Sequence, residues 1–150
     1  MTENQELKNL LEKLFGHQRL AVLGTQSTDG PYGNLVAFAA TADLKRLLFA
    51  TTRSTRKYGN ILGNPRVSMV MDNRTNEEAD FRSAIAVTAT GPVKELDGAA
   101  RDALQSIFVR KHPYLVDFVT SPTCALFQLE VETYYIVRQF QNVMQLHMTP

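Results

Sequence analysis

Cysteine is nearly absent: Cys124 is the only one in 150 residues, so no intrachain disulfide can form and a reducing, cytoplasmic setting is expected. It stands in an alternating apolar run, where a buried, inert thiol is the expected role. Neither sign of charge is in excess. Sixteen Lys+Arg against fifteen Asp+Glu leave +1, no broad field to attract nucleic acid or an acidic membrane, so any anion site must be local. No apolar run approaches the roughly 18 residues of a membrane span. The opening segment MTENQELKNLLEKLF is acidic and amphipathic, unlike a signal peptide, and an intracellular, soluble protein is expected. The common catalytic patterns are missing too. His17, His112 and His147 are widely separated and lie in no metal-binding spacing, so no metal is expected. There is no G-x-S-x-G elbow and no G-x-G-x-x-G between strand and helix. Glu77 and Glu78 fall in a polar loop and are expected to be solvated. Any redox chemistry would therefore need a bound cofactor.

What is present has the make-up of one globular domain spanning residues 1–150, with 44% hydrophobic and 21% charged residues. Leu7, Leu10, Leu11, Leu14 and Phe15 recur at helical spacing behind Thr2 and Gln5, predicting a capped helix over about 3–15. A strand is expected over Arg19–Thr25, apolar on both faces and so buried on both sides. Asp29-Gly30-Pro31 marks a turn into a returning strand at Gly33–Thr41, and a turn at Asp43–Lys45 leads to a third strand at Arg46–Thr52. Such short connections argue for an antiparallel meander. Further strands are expected at Arg66–Met71, Phe81–Leu96 with a bend at Gly91-Pro92, Cys124–Glu130 and Tyr134–Phe140. Asp97 opens a predicted helix through Lys111, and His112-Pro113 reads as N-cap and N1 of a short helix over Tyr114–Val119. About seven strands with peripheral helices predict a mainly β barrel, since closure removes exposed edges. The tail Gln139–Met148 mixes apolar residues with amides; it either packs across a partner subunit or finishes its own barrel.

The stretch Ala50–Pro65, ATTRSTRKYGNILGNP, organises the reading. An apolar strand delivers the hydroxyls of Thr51, Thr52 and Ser54, and Arg56 and Lys57 then open a short helix over Ser54–Leu62 with Ser54 or Thr55 as N-cap. Free N–H groups and a positive dipole end make that helix start suited to a phosphate.

The succession GNLVAFAATADLKRLLFATTRSTRKYGNILGNPRVSMVMDNR, followed by TGPVKEL, resembles the pyridoxamine 5′-phosphate oxidase-like, FMN-binding split-barrel family over roughly Arg19 to Leu96. The resemblance implies an antiparallel split barrel, FMN as cofactor, and a homodimer with cofactor sites at the interface. It implies that Thr55, Arg56 and Lys57 hold the phosphate, with Ala50, Thr51, Thr52 and Ser54 on the approach to it. Asn34, Leu35, Val36 and Ala37 would border the isoalloxazine and ribityl. Read from their own position just after a strand, Asn73 and Arg74 either meet the cofactor edge or the neighbouring subunit or lie in a solvated turn. NPRVS, Asn64–Ser68, marks helix termination and strand entry.

Some family features differ. The arginine that opens the flavin-binding strand in true pyridoxamine-phosphate oxidases is replaced by Asn34 or Leu35, their glutamine before the GPV turn by Ala86, and the C-terminal segment lacks tryptophan. The expectation is thus a general flavin-reductase-like member whose flavin N5 exchanges hydride with a small-molecule substrate, with no nucleic-acid or membrane partner. The alternatives are a non-catalytic flavin carrier or sensor, or a split barrel binding haem or F420.

Overall fold

The computed structural model describes residues 1–150 as eight antiparallel strands with helices around them. The strands are β1 (Leu20–Ser27), β2 (Gly30–Ala40), β3 (Arg46–Thr52), β4 (Arg66–Asp72), β5 (Ile85–Glu95), β6 (Cys124–Glu130), β7 (Thr133–Arg138) and β8 (Asn142–His147). The first three follow one another as a meander, as the short turns require. Six strands then close a ring in the order β4-β1-β2-β3-β6-β5, completed by β5 against β4.

Strand β5 is the joint of this barrel. One edge pairs with β4; the other pairs first with β7 over Ile85–Thr90 and then with β6 over Val93–Glu95. Gly91 sits at the exchange, where a Cβ would lie 2.0 Å from the Glu130 carbonyl oxygen, so only glycine lets the two backbones approach. The bend expected at Gly91-Pro92 is therefore the point at which the barrel splits into the β7–β8 hairpin. The tail residues form β8, an edge strand paired with β7, where the residue pattern predicts no strand.

Alternation along the strands builds two cores. The barrel interior holds Leu23, Phe38, Phe49, Met69, Val87 and Phe127 among others. One end is closed by α1 (Glu3–His17), which inserts Leu7, Leu11, Leu14 and Phe15 and is capped by Thr2, whose hydroxyl accepts from Gln5 N–H. The second core lies outside the barrel, where Leu48 and Ala50 of β3 and Cys124 and Leu126 of β6 meet Leu104 and Phe108 of α4 (Gly98–Lys111) and Val119 of α5 (Val116–Thr120).

This second layer corrects the strand reading. Burial on both faces belongs to β3 and β6, which the helices cover, whereas β1 alternates buried with half-buried residues and Leu20 is exposed. Phe81 belongs to a short helix, α3 (Asp80–Ser83), because Asp80 accepts from the N–H groups of Thr75 and Asn76 and coils the loop before β5. His112 does not cap the next helix through its side chain; its ring is buried against β2 and a 3₁₀ turn, Pro113–Leu115, follows.

Candidate functional site

A cleft of about 450 Å³ lies on the outer face of the barrel, between β2 and β3 on one side and the α4–α5 segment on the other. Its walls are mostly apolar: Leu20, Leu35, Ala37, Ala50, Phe108, Leu115 and Phe118. Polar groups converge on it from Arg19, Thr51, Thr52, Thr55, Lys57 and Tyr114. Volume and lining are those of a small-molecule site.

The hydroxyl end is built by the turn leaving β3. Thr51 and Thr55 Oγ1 are 2.8 Å apart and both lie within reach of the Thr52 carbonyl. Their two protons are thus spent on each other and on that carbonyl, and the pair fixes the shape of the turn. Thr52 and Ser54 hydroxyls, 3.3 Å apart, share one hydrogen bond and leave one proton for a ligand. Thr55 is the N-cap of α2 (Arg56–Gly63): its Oγ1 accepts from Tyr58 N–H at 3.3 Å. The N–H groups of Arg56 and Lys57 find no acceptor within the protein, as expected of a first helical turn.

Three basic residues crowd this segment, and the fold gives each a different task. Arg53 donates to the Pro122 carbonyl and to Glu95 Oε2, both at 2.9 Å, tying the turn to β5 and to the entry of β6. Arg56 lies over the Tyr32 ring, 5.6 Å from its centroid, and faces a separate depression beside the β1–β2 turn. Lys57 alone enters the cleft. It forms no ion pair, and burial pulls its amine below the ordinary lysine range, which an anion would reverse.

Of the residues singled out from the sequence, Leu35, Val36, Ala37, Ala50, Thr51, Thr52, Thr55 and Lys57 are brought together here. Asn34 faces the barrel side of β2, opposite Leu35 and Ala37; its Oδ1 is the one buried side-chain polar atom without a partner. Ser54 is exposed beside the rim, and Arg56 points away. Asn73 accepts from Ile85 N–H at 2.7 Å and closes the β4–β5 loop, while Arg74 pairs with Asp72 at 3.2 Å; neither touches this cleft within one chain. The sequence reading missed Arg19, Leu20, Phe108, Tyr114, Leu115 and Phe118. The α4 face and the His-Pro helix start were visible as elements, but not the strand on which they dock.

At the other end of the cleft, His112 is fully buried and lies 2.7 Å through Nε2 from the Phe38 carbonyl and 3.2 Å through Nδ1 from the Tyr114 hydroxyl. Burial, with smaller contributions from Lys111 and Arg19, holds its imidazole below the usual range and thus neutral at pH 7. Cys124 is buried in the second core and its thiol is pushed up by burial, consistent with an inert role. No cluster of metal ligands is present. No helix is long and apolar enough to cross a membrane.

The sequence from residue 4 to residue 138 matches the family model described as pyridoxamine 5′-phosphate oxidase. No curated protein matches the chain. Among solved structures, a heme-binding protein from Mycobacterium smegmatis superposes with a TM-score of 0.83 at 14% identity over 98% of this chain. The chain spans only 59% of that protein's length. A FAD-binding protein from Mesorhizobium loti gives a TM-score of 0.66 at 18% identity, covering 83% of this chain and 89% of the other. The heme storage protein HutZ from Vibrio cholerae gives 0.69 at 17% identity, covering 84% and 90%. At these identities the likeness concerns the fold, and cofactors differ among proteins that share it. The matched span carries more: it runs through the ring of strands, the hydroxyl turn and α2, and on that match the chain belongs to the pyridoxamine 5′-phosphate oxidase family, with the split-barrel fold.

Proposed function

We propose that the protein is an FMN-binding oxidoreductase acting on a small molecule. One observation carries the reading: Lys57, half-buried and without an acidic partner, meets the start of α2 and the Thr52–Ser54 hydroxyls at one end of an otherwise apolar cleft. A phosphate monoester supplies the charge and the acceptor oxygens that such a group of donors lacks. Leu35, Ala37 and Ala50 offer small and aliphatic surface on which a flat ring can lie, and Phe108, Leu115 and Phe118 form the opposite wall. FMN, when bound, would supply the hydride chemistry; the chain's own groups bind and orient it. The haem alternative is less well served, since none of the lining residues is His, Cys or Met, and of the common axial ligands only a tyrosine, Tyr114, is present.

We further propose a homodimer formed through the outer face of β1, β4, β5 and β7. Val22, Gly24, Val70, Ala86, Thr88 and Val137 face away from the barrel, belong to neither core, and carry no charge. No helix of the chain packs its apolar residues there.

The test is ligand contrast. Lys57→Ala should weaken FMN binding about 10- to 150-fold, the equivalent of a charged hydrogen bond of roughly 1.5–3 kcal/mol, and leave riboflavin nearly unaffected. Arg56→Ala, whose guanidinium lies over Tyr32, should change both ligands little. Equal losses for FMN and riboflavin on Lys57→Ala would mean that Lys57 does not hold the phosphate. A purified protein that is colourless and takes up no added FMN would refute the flavin reading altogether.

A further inference from the structure

His112 has both ring nitrogens engaged although it is buried: Nε2 at 2.7 Å from the Phe38 carbonyl oxygen and Nδ1 at 3.2 Å from the Tyr114 hydroxyl. A carbonyl only accepts, so Nε2 carries the hydrogen, and in the neutral ring Nδ1 is left with a lone pair. Tyr114 must then donate its proton to Nδ1 and turn its oxygen lone pairs toward the cleft it lines. Charging the ring reverses this. With hydrogen on both nitrogens, Nδ1 donates to the Tyr114 oxygen and frees the phenolic O–H to donate into the cleft. Neither state leaves a nitrogen of His112 orphaned, so the ring can take up or release a proton while keeping its buried bond to the Phe38 carbonyl, with the exposed Tyr114 at its solvent end.

The pair also sits where a substrate would be handled. Arg19 and Tyr114 line the cleft beside Phe38, which pairs with Phe49 of β3, whereas Thr52 lies three residues further along that strand, with the helix bearing Lys57 beyond it. At about 3.3 Å per residue, the two polar ends are roughly 10 Å apart with apolar wall between them. The charged groups facing the imidazole are Lys111 and Arg19; both oppose its charging, and Arg19 forms no ion pair of its own.

We propose that Tyr114 is the proton-transfer residue of the cleft, that His112 is its proton reservoir, and that the substrate is an oxygen-centred redox pair, a quinone or other carbonyl and its hydroxyl form. The inference rests on the flavin reading given above. Reduction of a quinone to the hydroquinone takes two electrons and two protons. The hydride, which FMN would supply when bound and reduced, accounts for both electrons and one proton; with His112 charged, Tyr114 O–H gives the other proton. Nδ1–H of His112 restores the phenol, and the neutral imidazole left behind is recharged from solvent. In the opposite direction the hydroxyl proton passes to Tyr114 as the phenolic proton passes to Nδ1.

The experiment compares two oxidants on FMN-loaded, photoreduced protein under anaerobic stopped flow between about pH 5 and 8. Menadione needs protons; ferricyanide takes electrons alone. Reoxidation by menadione should accelerate as pH falls and His112 charges, and Tyr114→Phe should be about 100-fold slower and insensitive to pH. Ferricyanide, which takes no proton, is the internal reference: the ratio of the menadione rate to the ferricyanide rate should fall about 100-fold in Tyr114→Phe. Independently of turnover, ¹⁵N shifts of the His112 ring should report hydrogen on Nε2 in both proteins, with charging in the wild type only below the ordinary histidine range. Equal menadione rates, equal slowing with both oxidants, or hydrogen on Nδ1 of the neutral ring would overturn the relay. A protein that binds no FMN overturns the flavin reading and the relay together; bound FMN with unchanged menadione rates overturns the relay alone.

Discussion

At the scale of single residues, the sharpest features are cations that fold into places without carboxylates. Lys111 donates to the Phe15 carbonyl at 2.8 Å and lies 3.8 Å from the Phe38 ring centroid, with no ion pair. Burial pulls its amine down from 10.5 to about 8. Between those values the unfolded chain binds more protons than the folded one, so stability should rise with pH through that window. Allowing for its partial exposure, the gain is about 1–2 kcal/mol. Urea unfolding at pH 7.5 and pH 10 checks this: the rise should be present in the wild type and flattened in Lys111→Met, and parallel changes in both would place its origin elsewhere. Nothing around position 111 in the sequence announces this, because Phe15 and Phe38 come from α1 and β2.

At the scale of elements, two local devices hold the site in place. Thr55 caps α2 while its hydroxyl meets Thr51 of the preceding strand, so one residue fixes both the helix start and the turn. Thr55→Ala should destabilise the protein by about 1 kcal/mol, read as a lower urea midpoint at unchanged m-value, and should weaken FMN binding as the turn relaxes. Gly91 lets β5 exchange β7 for β6 against the backbone of Glu130. The obstacle is a main-chain oxygen, which cannot rotate aside as a side chain would. Gly91→Ala should therefore cost about 1–3 kcal/mol or more, and a melting temperature equal to the wild type would show that the strand exchange tolerates displacement. The cap was legible in the sequence as Ser54 or Thr55. The glycine was legible as a bend, but its reason, a crossing strand 39 positions later, was not.

At the scale of the whole molecule, the barrel leaves a sheet face that is uncharged between Arg66 and Asp72 at the two ends of β4 and has no covering element of its own. If this face joins two copies, light scattering should give about twice the 16.8 kDa protomer mass, and Thr88→Arg, in the middle of that face, should halve it. A wild-type mass of one protomer with FMN bound would refute the dimer.

What the sequence determined by itself was everything set by near neighbours. Periodicity placed β3 and β6 residue for residue and α1 and α4 nearly so; turn chemistry gave the β1–β2 hairpin; the hydroxyl-to-helix transition at Thr51–Lys57 gave the polar end of the cleft. The strand count and the need to close exposed edges gave the barrel; the family resemblance gave its split-barrel form and the flavin expectation. Only the tertiary structure decided which of three nearby cations faces the cleft, because Arg53 is claimed by Glu95 and Arg56 by Tyr32, residues distant in the chain. It also decided the second wall. The α4–α5 segment could have packed on any apolar strand face, and its position over β2 and β3 follows from the two-sided burial of β3 and β6 and from the bond of His112 to the Phe38 carbonyl. Local spacing fixes what an element is, through backbone sterics and hydrogen bonds within a few residues; where its side chains point is fixed by surfaces that come together only when the ring closes.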